Sequence, residues 1–135
     1  MERKDFVEYL LNVAFASMVC DGDIAPEELQ YLEDIEKQDF YLKEFDMTYR
    51  LSKLKSDWEL NGLKLCDRIL NSMYKAQFSE DQKVVILDFA IGIVRSDDVM
   101  QQAEIEFVNT LIRNIKISSE LVKLRFGNWS MIEGH

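Results

Sequence analysis

Helix breakers are scarce in this chain. Its 135 residues include one proline and five glycines, too few to punctuate a strand-and-turn fold. Histidine occurs once, at the terminal His135, which leaves no imidazole general acid or base within the body of the chain. There are two cysteines, Cys20 and Cys66, and no CxxC. A disulfide framework or a sulfur-rich zinc site is therefore not expected, and both thiols read as reduced core residues of a cytosolic protein. Positive charge is also short, with 16 basic residues against 25 acidic ones and a formal charge of -9. That balance argues against nucleic acid and against docking on anionic lipid, since both need a basic face. No run approaches the ~20 apolar residues that span a bilayer, and "MERKDFVEYLL" has no signal-like apolar region. The expected location is cytoplasmic, without membrane insertion.

What remains is a helical composition. The chain is 47% hydrophobic and 30% charged, within the range of a globular domain able to bury one core. Apolar residues recur at helical spacing almost throughout. The spacing predicts a first helix over Asp5–Cys20, with Phe6, Leu10, Val13, Ala14 and Ser17 on one face. A second helix starts at Pro26 and carries Leu29, Leu32 and Ile35. A weaker third covers residues 40–54. The fourth spans Trp58–Lys75, with a stripe of Leu63, Cys66, Leu70 and Met73. Ser79 and Gln82 stand at capping-box spacing before a fifth helix whose Val84–Val94 stretch is apolar nearly all round, so it is expected at the centre. The sixth runs over Gln101–Asn114 with Ile105, Val108, Leu111, Ile112 and Ile115 inward, and Ser118 caps a short last helix. The fold class is all-α: a single compact domain, residues 1–135, of about seven helices.

A repeat lies within this pattern. Shifting "LLNVAFASMVCDGDIAPEELQYLEDI" by 76 residues lays it on "ILDFAIGIVRSDDVMQQAEIEFVNTL". Ala14 falls on Ala90, Ala16 on Gly92, Asp21 on Asp97, Ile24 on Met100 and Glu28 on Glu104. The chain thus reads as two pseudo-symmetric helix–acidic loop–helix units, over about residues 6–37 and 80–115.

The acidic loops invite a calcium reading. With Asp21 at position 5 of an EF-hand loop, Gly22, Ile24 and Glu28 take positions 6, 8 and 12. Positions 1 and 3 are then Ser17 and Val19, and Ile93 and Arg95 in the second unit, so half the ligands are missing twice. A capped junction accounts for most of the stretch. Ala25 as N-cap puts Pro26 at N1, Ile24 and Leu29 at the two ends of a hydrophobic staple, and Glu27 and Glu28 in the first turn. In the second unit Met100 and Ile105 form the staple and Glu104 stands at N3. The aspartates are left over. Turns favour aspartate by themselves, but Asp21, Asp23, Asp97 and Asp98, with Glu28 and Glu104, would hold a hard divalent cation such as Ca²⁺, Mg²⁺ or Mn²⁺ if the loops meet.

"ASMVCDGDIAPEELQYLEDI" resembles the loop signature of the TerB-like family, named for tellurite resistance, which takes in the domain at the N-terminus of DjlA. "AIGIVRSDDVMQQAEIEFVNTLIRNIKI" resembles the family's second motif, and the likeness covers about Phe6–Ile117. Asp21, Asp23 and Glu28 match the first motif; Asp97 and Glu104 match the second. Asp98 stands where the first unit has Gly22, Val99 where it has Asp23, and Ala25 replaces the usual capping serine. The resemblance implies an all-α fold of two pseudo-symmetric halves, an acidic metal-binding surface, and a place in bacterial stress-response complexes, some of them at the membrane.

Three functions fit these residues. The first is a non-enzymatic acidic module that binds a divalent cation, a basic or membrane-associated protein partner, or both. The second is a helical scaffold or oligomer subunit without metal, using aromatic residues of "DFYLKEFDMTYR" or Trp129. The third is a carboxylate–metal hydrolase, supported only by "DGDIAPEE". No phosphate loop and no nucleophile with an evident base partner supports an enzyme.

Overall fold

The computed structural model describes residues 2–22, 47–96 and 100–129, without the side chains of Met47 and Thr48. The expected second helix from Pro26, and Phe40, Tyr41 and Phe45, lie outside these residues. Six helices are described: α1 (Arg3–Val19), α2 (Met47–Asn61), α3 (Lys64–Lys75), α4 (Glu80–Val94), α5 (Gln102–Ile115) and α6 (Ser119–Phe126). The described residues contain no strand, and the helices pack as a single all-α domain around one core cluster.

The core is built on α1. Phe6, Val7, Leu10 and Leu11 are buried, and every residue from Val13 to Val19 is buried as well. The C-terminal half of the helix is thus enclosed on all sides, with α4, α3, α2 and α5 packed against it. Ala14 and Ala16, both fully buried, let neighbours approach closely. Ser17 is polar and fully buried, but its hydroxyl donates to the Val13 carbonyl at 2.7 Å, which offsets the desolvation of the group.

The helix expected at the centre, α4, is the main partner of α1. It buries Ile86, Leu87, Phe89, Ala90, Ile91, Ile93 and Val94. Asp88 and Arg95 reach solvent, so α1 is the more enclosed of the two. The N-terminus of α4 is closed as its sequence predicts. Gln82 N–H donates to Ser79 Oγ at 3.2 Å, and Ser79 N–H donates to Gln82 Oε1 at 2.9 Å. Just upstream, Phe78 stands edge-on to Phe6 and Tyr9, with ring centroids 6.2 and 5.3 Å apart.

The predicted gap between the third and fourth helices, residues 55–57, lies inside α2, and the boundary falls later. The Trp58–Lys75 segment breaks at Gly62, whose φ of +58° is left-handed. Gly62 N–H bonds the Trp58 carbonyl at 2.8 Å and ends α2 in the manner of a C-terminal glycine. The turn resets the face of α3. Its buried stripe is Leu65, Cys66, Ile69 and Met73, while Leu63 is 51% exposed and Leu70 half-buried. The Arg68 guanidinium bonds Asp57 across the corner, and this bond chiefly holds the Asp57 carboxyl below its ordinary range.

In α5, Phe107, Val108, Leu111 and Ile115 are buried, whereas Ile105 and Ile112 are half-buried. Asn114 Nδ2 donates to the Leu70 carbonyl at 2.9 Å and ties α5 to α3. Ser118 caps α6 by accepting from Leu121 N–H at 3.1 Å. Trp129 is buried and belongs to the core rather than to a free surface. Tyr49 is 61% exposed, with Lys53 Nζ 5.3 Å from its ring centre.

Candidate functional site

The first acidic loop begins where α1 runs out of helical backbone. Gly22 has φ +92° and its N–H returns to the Val19 carbonyl at 2.9 Å. Only glycine takes this conformation without steric cost. The turn leaves Asp21 exposed beside the closed end of the helix. Asp23 and Glu28 lie outside the described residues, as do Asp97 and Asp98 of the second loop.

Glu104, the remaining candidate ligand, has a structural task. It is buried at 2% exposure, in the first turn of α5. Its Oε1 accepts the Gln101 N–H at 2.8 Å, so the carboxylate caps an otherwise unpaired donor and complements the helix dipole. Gln101 is the N-cap, Met100 precedes it, and Met100 and Ile105 both join the core cluster. This is the stapled junction that the sequence predicts for the second unit. Among the described residues, no three His, Cys, Asp or Glu side chains group to hold a metal ion.

Among the described residues, two concavities stand out. A polar cleft of about 360 Å³ is lined by Asp5, Glu8, Tyr9, Asn12 and Ser72. Arg50 bonds Glu8 at 2.6 Å, an ion pair at the cleft's wall. The other is a groove of about 310 Å³, with Cys20, Cys66, Leu63, Leu70 and Phe107 on its walls. Neither cysteine is in a disulfide. Burial, and next the charge of Asp67, push the Cys66 thiol up to about 11, so it is protonated at neutral pH and a poor nucleophile. The sequence places both cysteines in apolar helices but carries no sign that they share a groove.

The model of the family described as tellurite resistance protein TerB matches residues 10–124. The chain belongs to the TerB family. The TerB match takes in most of α1, both acidic loops and all of α2 to α5, and ends within α6. The protein is therefore a helical module of the tellurite-resistance type. No curated protein and no solved structure matches the chain. Among the described residues, no helix is long and apolar enough to cross a membrane.

Proposed function

We propose that this TerB-family chain is a non-enzymatic, cytoplasmic binding module whose acidic loops collect a divalent cation, a basic protein partner, or both, within a stress-response complex. The observation that carries this reading is the family match over residues 10–124, which includes both acidic loops. The formal charge of -9 supports it, because an acidic surface concentrates counter-charge and speeds encounter with basic partners. The exposure of Asp21 at the end of α1 is also consistent. Ca²⁺, Mg²⁺ and Mn²⁺ are the candidate ions, since carboxylate oxygens suit hard cations.

The test is calorimetric titration of chelator-stripped protein with each ion, beside an Asp21→Asn/Asp97→Asn double variant. Saturable binding lost in the variant, at unchanged helix content, is the expected outcome. Absence of binding below about millimolar concentration, a range typical of weak extracellular calcium modules, overturns the cation half of the proposal.

A second reading, a scaffold or oligomer subunit without metal, draws on a different observation. Leu60 and Leu63 flank the Gly62 corner at 84% and 51% exposure. A solution mass above that of one chain, restored to one chain by Leu60→Glu, would favour it.

A further inference from the structure

Two separate surfaces of this molecule complement each other. The groove of about 310 Å³ lies between α3 and α5, beside the end of α1. Leu63, Leu70, Ala103 and Phe107 supply apolar lining, and Leu63 is 51% exposed. Asp67 on α3 and Glu106 on α5 also line it, and both are exposed. Each of these two helices therefore brings one carboxylate to an apolar floor. On α6, Leu124 is 81% exposed, and its neighbours Lys123 and Arg125 are exposed as well. Successive helical residues point about 100° apart, so the two cations flank the leucine on either side. No residue of α6 is among the described lining of the groove. Among the described residues, none of these four charges is engaged in an ion pair.

We propose that the groove between α3 and α5 receives the Leu124 face of α6 from a second copy of this chain, with Lys123 and Arg125 set against Asp67 and Glu106. The inference rests on the scaffold reading above and gives it a definite contact. An apolar knob between two cations matches an apolar floor between two carboxylates, so burial and charge favour the same docking. The formal charge of -9 repels one copy from another at long range. At physiological ionic strength that repulsion is screened beyond about 8 Å, while charges in contact still attract. The contact joins two different patches, so it closes into a ring or extends from copy to copy. Stable complexes bury about 1,200–2,000 Å²; a contact made by one face of an eight-residue helix is smaller, so the assembly is weak and depends on concentration.

The experiment is sedimentation equilibrium of the full chain from about 10 μM to about 1 mM, the range of weak association, in about 0.15 M salt. The average mass should rise with concentration. Leu124→Ser, at an exposed position, should weaken association at least about tenfold. Two charge-reversed proteins sharpen the test. Asp67→Lys with Glu106→Lys, and separately Lys123→Glu with Arg125→Glu, should each stay at the mass of one chain. Mixed together they should associate, because each then offers the charge that the other's groove or helix lacks. Circular dichroism checks that every variant keeps its helix content. A mixture that stays at the mass of one chain overturns the proposal. So does a mass rise that survives Leu124→Ser and is lost in Leu60→Glu, which would leave the scaffold reading standing on the Gly62 corner. A single-chain mass for the unaltered protein at every concentration overturns both.

Discussion

The residues that the 76-residue shift pairs differ most where α1 and α4 end. Leu10 and Ile86 are both fully buried, as are Ala14 and Ala90, and Met18 and Val94. Even a local hydrogen bond recurs. The Cys20 Sγ bonds the Ser17 carbonyl at 3.4 Å, and the Ser96 Oγ bonds the matching Ile93 carbonyl at 2.7 Å. At the next position outward the likeness stops: Val19 is sealed, whereas its counterpart Arg95 is exposed. Both helices are buried through their last residues, Val19 and Val94, but α1 carries the burial one repeat position further. The lesson is that a shared pattern sets which face of a helix is buried, while the number of neighbours sets how far the burial extends.

The largest effects should come from the paired core positions. Phe15→Ala removes a ring at 0% exposure on α1, and Ile91→Ala truncates its counterpart at 6%. Urea unfolding should show losses of about 3–5 and about 2–4 kcal/mol, with α1 the more sensitive. Equal losses would erase the asymmetry.

The opposite ends of the same two helices give a smaller contrast. Ser79 caps α4, but Glu2 makes no side-chain cap bond on α1. Ser79→Ala should cost about 1 kcal/mol, and Glu2→Ala less than about 0.5 kcal/mol. The same denaturation curves measure both.

Alkaline pH should act through Cys66, which has no counterpart in the second unit. Its folded pKa of about 11 lies above the ordinary value of 9.0. The unfolded chain therefore loses this proton first. The stability linked to Cys66 is complete below about pH 9 and declines as pH rises to about 11. Wild-type protein should lose more stability across that window than Cys66→Ala. Parallel pH profiles would show that Cys66 titrates alike in both states.

Cys20→Ser should do least to stability. It gives the end of α1 the hydroxyl that Ser96 supplies to α4, and the bond to the i−3 carbonyl can persist. A change within about ±0.5 kcal/mol is expected. A larger loss would mean that the thiol packs in a way the hydroxyl cannot.

The helix starts were the most legible part of the fold. Ser79 with Gln82, Ser118, and Glu104 at N3 are local signals that depend on residues three apart, and each forms the expected junction. Gly62 was not legible as a helix end. One glycine inside an apolar period is tolerated in many helices, and here the break depends on α2 and α3 each finding a different place against α1. The buried stripe of α3 shifted with it, to Leu65 and Ile69. The enclosure of α1 was hidden for a related reason, since α4 has the more apolar sequence of the two. Of the six candidate ligands, Asp21 stands exposed on its turn and Glu104 caps α5; the other four lie outside the described residues. Cys20 and Cys66 line one groove from distant parts of the chain, and no periodicity within a helix encodes that.

The packing of α1 against α4 also bears on how the protein is made. Roughly sixty residues separate the end of α1 from the start of α4. At about 5–20 residues per second, translation takes ~3–12 s to cover that distance. For those seconds the helix with the most buried residues among those described has left the ribosome before its main partner exists. The nascent chain therefore presents α1 as a binding site for holdase chaperones, and an arrested chain ending before Glu80 should retain them.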